Sequence, residues 1–99
     1  MSEAEFFAAP PFNADQAIQR LRRELREMGL TEREGLFERG GKTVARLVLN
    51  EGALVASLVR LPSRSPQWQA PRQLAHAADL RDFSADLKKR LAQWSDRDD

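Results

Sequence analysis

The sequence predicts a two-layer α+β domain of order α-β-β-β-α, a three-stranded antiparallel sheet with its helices packed on one face. Two patterns point there. Apolar residues recur at helical spacing near both ends of the chain, and the stretch between them is aliphatic and punctuated by glycine turns. A chain of 99 residues buries roughly 60–65% of the surface its unfolded form exposes. It is therefore read as one domain with a thin core, spanning residues 13–95, between an N-terminal arm at 1–12 and a frayed acidic tail at 96–99.

Residues 1–12 read as an arm because Pro10 and Pro11 withhold backbone donors from any helix or ladder. Phe6, Phe7 and Phe12 are too apolar for a purely solvated segment, so one or two of them are expected to dock on the domain. Asn13 is a good N-cap, and Gln16 stands where a capping box needs it. From there Ile18, Leu21, Leu25 and Met28 form one stripe, and Gly29 followed by Leu30 suits a left-handed C-terminal cap.

Three strands are expected next, at 34–39, 42–49 and 53–61. Gly40-Gly41 is a two-residue hairpin signal, and Asn50-Glu51-Gly52 suits a three-residue loop with glycine in a bulge. With that loop, Thr43, Ala45, Leu47, Leu49, Ala53, Val55, Ser57, Val59 and Leu61 share a face without charge, the expected core. A two-residue Glu51-Gly52 loop would mix Arg46 or Arg60 with apolar residues on each face, and a one-residue slip turns every side chain over. Pro62 ends the third strand, residues 63–70 form a loop, and Pro71 is placed to start a helix. Leu74 and Ala78, then Leu80, Phe83, Leu87, Leu91 and Trp94, give that helix its stripe, as one helix or as two meeting near 79–84.

The composition narrows function mostly by exclusion. The chain has no cysteine and no tyrosine, and His76 is its one histidine. Disulfides, thiolate zinc sites and cysteine nucleophiles are thereby removed, and nothing supplies further ligands around His76 for a metal. Ser57 or Ser63 with His76 and Asp79 makes a nucleophilic set on paper only, without the strained turn or glycine-rich oxyanion loop that such chemistry uses. Gly40-Gly41-Lys42-Thr43 lacks the spacing of a phosphate-binding loop. The expectation is a non-enzymatic protein with no cofactor and no metal. No apolar run approaches the roughly 20 residues of a membrane span, and no basic start followed by an apolar stretch opens the chain. A cytoplasmic location is expected.

Charge is uneven although the net is +1. Basic Arg39, Lys42, Arg46, Arg60, Arg64 and Arg72 crowd the middle of the chain against Glu38 and Glu51. In the favoured register the outer sheet face carries Phe37, Arg39, Val44, Arg46, Val48, Leu54, Leu58 and Arg60, an apolar centre edged by arginines. That face is the expected contact surface for a protein partner, a second copy included. Arg64 and Trp68 in the following loop form a second anchor, since tryptophan beside arginine is a hot-spot composition. The competing expectation for this tryptophan is a lid folded over the core edge.

Nucleic acid is the alternative partner, because basic groups around an aromatic hold phosphates while a base stacks. The expected element order is similar to that of double-stranded RNA-binding domains, in topology alone. Where those domains open their last helix with paired lysines this chain reads Gln69-Ala70-Pro71-Arg72, and its hairpin loop is acidic.

Overall fold

The computed structural model describes residues 12–97. The expected arm, apart from Phe12, and the last two residues lie outside that range. Helix α1 (Ala14–Glu27) is followed by strands β1 (Thr31–Arg33), β2 (Leu36–Arg39), β3 (Lys42–Asn50), β4 (Ala53–Ser63) and β5 (Arg72–Leu74), and helix α2 (Ala77–Arg97) completes the order. The strands form one antiparallel sheet in sequence order, β1 to β5. The α+β class and the antiparallel sheet are as expected; the sheet has five strands where three were expected, so the likeness in order to double-stranded RNA-binding domains is lost.

Both helices follow from local sequence. The Asn13 side chain accepts a hydrogen bond from the Gln16 N–H at 3.1 Å, satisfying one of the donors that a helix start leaves open. At the other end Gly29, at φ 90°, donates to Arg26, and Leu30 donates to Leu25. This paired closure brings buried Leu30 against buried Leu25. The α1 stripe of Ala14, Ala17, Ile18, Leu21 and Leu25 is buried, and so is the α2 stripe of Leu80, Phe83, Leu87, Leu91 and Trp94. Helix α2 is continuous through Arg97.

It starts later than the sequence suggested. Arg72–Leu74, expected as its first turn, is strand β5, pairing with Leu54, Val55 and Ala56 of β4. The Asp79 carboxylate accepts from the backbone N–H groups of Ala75 and His76, at 2.8 and 3.1 Å, and so starts the helix after His76. The short strand also closes what would be an open edge of the long β4.

The hairpins set the register. Glu34-Gly35, Gly40-Gly41 and Glu51-Gly52 each link strands as a two-residue turn, and all six residues have positive φ. That geometry matches the twist of the strands on either side. The first turn was not expected and splits the expected strand 34–39 into β1 and β2. The third replaces the expected three-residue loop, so Asn50 pairs with Ala53 and Leu49 with Leu54. Ala45, Leu47 and Leu49 keep their expected face, but β4 is turned over relative to them. Leu54, Ala56 and Leu58 point to the helix-covered core, and Val55 and Ser57 lie on the other face, Val55 half-buried and Ser57 buried there.

A bulge adds to the core. Phe37 pairs with Ala45 and Glu38 with Thr43, which leaves Val44 as an extra residue. Such an extra residue lets two neighbours on one strand face the same side, and Val44, Ala45 and Phe37 are all fully buried. Along β4 the ladder to β3 jumps from Leu58 to Ser63. The intervening residues turn instead to the 67–69 segment, where Arg60 donates to Gln67, Gln69 donates to Leu58, and Val59 bridges Trp68.

Both helices lie on the Phe37 side of the sheet. Glu32, paired with Phe37, meets Arg22 of α1 at 3.0 Å. Arg72, paired with Ala56, meets Asp86 of α2 and places its guanidinium 5.7 Å from the Phe83 ring centre. The Arg39 guanidinium, on the same side, donates to the Leu91 carbonyl at 3.2 Å and to Ser95 Oγ at 2.9 Å.

Candidate functional site: the helix-free sheet face

The other face carries no helix. Across it the register aligns Arg33 with Leu36, Leu36 with Arg46, Arg46 with Ser57, and Val48 with Val55 and then Gln73. Val48 is 41% exposed, and Leu36, Ala53 and Val55 are half-buried. A short apolar strip thus runs across the sheet, flanked by Arg33 on one edge and Gln73 on the other. At its end the Arg46 guanidinium lies 4.6 Å from the Trp68 ring centre. A cation held over the negative face of an indole stabilises by about 0.5–2 kcal/mol depending on exposure. Trp68 is half-buried and packs against the core beside Val59, which is fully covered. The loop tryptophan therefore acts as a lid over one end of the face.

Several residues expected on the contact surface are elsewhere. Phe37, Val44, Leu54 and Leu58 are buried under the helices, each at most 1% exposed. The two-residue Glu51-Gly52 turn brings Leu54 and Leu58 there, and the Val44 bulge brings in Val44 and Phe37. Arg39 is on the helix side, holding α2 through Leu91 and Ser95. Arg60 is exposed on the stretch of β4 that has left the β3 ladder, and Arg64 is exposed in the loop beyond. Arg46 and Val48 remain on the helix-free face, and Trp68 joins them. In this register Arg46 shares the helix-free face with apolar residues and is accommodated by stacking on Trp68, while Arg60 escapes the core side where the ladder breaks.

Leu36, Ala53, Val55 and Gln73 belong to this face and were not expected on it. The signal for Val55 was present, since Glu51-Gly52 read as a two-residue turn puts it opposite Val48. Gln73 had no signal, because its segment reads as a helix start.

Among the described residues, no group of three or more His, Asp or Glu side chains is placed to hold a metal ion. His76 is exposed, and the Asp79 carboxylate beside it caps the helix. On the opposite side of the sheet Asp86 bridges Arg72 and Arg90, with 3.0 Å to Arg90 Nε. Partial burial pushes its pKa up, but the hydrogen bond from Arg72 and the charges of Arg90 and Arg72 together outweigh this. Its pKa is held below the ordinary carboxylate value. No described helix is long and apolar enough to cross a membrane.

Comparison of the chain with models of known families, with curated proteins and with solved structures finds no match.

Proposed function

We propose that this chain is a small non-enzymatic interaction domain working through the helix-free face of its sheet, with a second copy of itself as the partner. One observation carries the reading. The strip Leu36–Val48–Val55 is aliphatic and accessible, in a fold whose two helices both cover the opposite side. Apolar strips rimmed by arginine and polar groups are contact surfaces more often than solvated ones. Two such faces related by a two-fold axis would bury Val48 against Val48 or Val55 and leave the arginines at the rim. Apolar burial then supplies affinity, and Arg33 and Arg46 supply orientation.

Nucleic acid is less well supported on this face. Trp68 is the one aromatic there among the described residues, and Arg46 already covers one side of its ring. Stacking of bases needs free aromatic faces.

Light scattering coupled to size exclusion, at low and moderate salt, tests the proposal. A dimer insensitive to salt and converted to a folded monomer by Val48→Asp is the expected result. A wild-type monomer at high protein concentration would overturn self-association, and a species that forms only at low salt would point to a charged ligand instead.

A further inference from the structure

Where β4 leaves the β3 ladder it forms a ridge between two shallow clefts that share Arg60 and Leu61. One, of about 470 Å³, lies against α2 and is completed by Arg90, Gln93 and Trp94. The other, of about 300 Å³, is completed by Pro62, Ser63, Ser65 and Gln67. Among the described residues no carboxylate lines either cleft. A third cleft between the helices, lined by Glu24, Glu27, Met28, Ser84 and Lys88, is by contrast partly acidic. The Arg60 guanidinium is exposed and has no acidic partner among the described residues. Arg90 uses Nε on Asp86, 3.0 Å away, which leaves its terminal nitrogens as further donors. The amides of Gln93 and Gln67 add polar groups around them.

We propose that this paired cleft is an anion-binding site that takes an acidic peptide segment, a carboxylate docking between Arg60 and Arg90 and an aliphatic side chain covering Leu61. Two guanidiniums close to one cleft match the planar, two-pronged geometry of a carboxylate. The peptide is favoured over nucleic acid by the apolar part of the site. Leu61 is 51% exposed, the most open of the large aliphatic residues described, and gains from an aliphatic neighbour. The aromatic of the cleft, Trp94, is only 4% exposed and offers no ring face for a base to stack on. The site is separate from the helix-free face, so the two stand or fall independently.

Fluorescence anisotropy with the full chain tests it, using a labelled peptide of alternating glutamate and leucine, a glutamate–serine peptide of equal charge, and labelled oligothymidine. The expected result is binding of the glutamate–leucine peptide that weakens roughly tenfold in Arg60→Glu and measurably in Leu61→Ser, and is unchanged in Val48→Asp. Both cleft substitutions are at exposed positions, and circular dichroism would confirm that each variant is folded. Equal binding of the glutamate–serine peptide would overturn the role of Leu61. Tighter binding of oligothymidine through the same residues would overturn the peptide in favour of a phosphate ligand. Failure of the glutamate–leucine peptide to bind, or binding indifferent to Arg60→Glu, would overturn the site itself.

Discussion

The two faces of the sheet are built from the same strands and differ by one step along the chain. Leu47 and Val48 are neighbours in β3; the first lies buried beneath the helices and the second is exposed on the helix-free side. On the helix-covered face the aliphatic residues are sealed by two amphipathic helices, and the charges there are held by polar partners: Arg72 by Asp86, Arg22 by Glu32, and Arg39 by the Leu91 carbonyl and Ser95. On the helix-free face one tryptophan covers one end, and the arginine above it is held by the ring itself. Side chains of similar hydrophobicity thus have opposite roles, and the covering elements decide which. Burial makes one set structural; exposure leaves the other available for contact.

Placing the same charge on each face is the strongest way to break this comparison. Leu58→Asp puts a carboxylate into an apolar core with no partner and should cost about 4 kcal/mol or more, enough to unfold a thin-cored domain. Loss of the cooperative urea transition would report it. Val48→Asp, on an accessible side chain, should change stability by only about 0.5 kcal/mol while removing any self-association. If both variants melt alike, the assignment of faces fails.

Gly35→Ala tests the turn geometry that holds both faces in register. Gly35 has φ 82°, and a Cβ there would sit 2.9 Å from the Leu47 carbonyl oxygen. Its own carbonyl accepts from the Leu47 N–H at 2.9 Å, so the two strands have little room to part. A loss of about 2–3 kcal/mol is expected by chemical denaturation. Trp68→Ala should cost about 2 kcal/mol, by uncovering Val59 and releasing Arg46. It should cost less than Phe83→Ala, which empties a fully buried site on the other side.

The smallest expected effect is electrostatic and belongs to the helix-covered side. The pKa of Asp86 is depressed in the folded protein, so the folded state prefers its charged form. The stability this contributes is fully present above the unfolded carboxylate value, about 3.9. It is lost as pH falls through the lower folded value. Asp86→Asn should therefore lower stability at neutral pH and flatten its decline below about pH 4, as melting temperature against pH would show.

The helices were legible in the sequence because their information is local. Asn13, Gly29 and the stripes from Ile18 to Leu25 and from Leu80 to Trp94 each act within one or two turns, and the structure uses them as read. The turns at Gly40-Gly41 and near Gly52 were legible for the same reason, whereas the Glu34-Gly35 turn reads as part of a strand. The sheet faces were not, because a strand repeats every two residues and β4 is aliphatic on both sides. One residue of loop length at Glu51-Gly52 was then enough to put Leu54 and Leu58 beneath the helices in place of Val55 and Ser57. The short β5 was equally hidden, since Arg72–Leu74 becomes a strand by pairing with β4 and gains nothing from its neighbours in sequence. The sequence by itself determined the hairpin turns at Gly40-Gly41 and near Gly52 and which helical stripes are apolar. Only the tertiary structure decided which sheet face those stripes would cover, because that choice rests on pairing and packing between residues far apart in the chain.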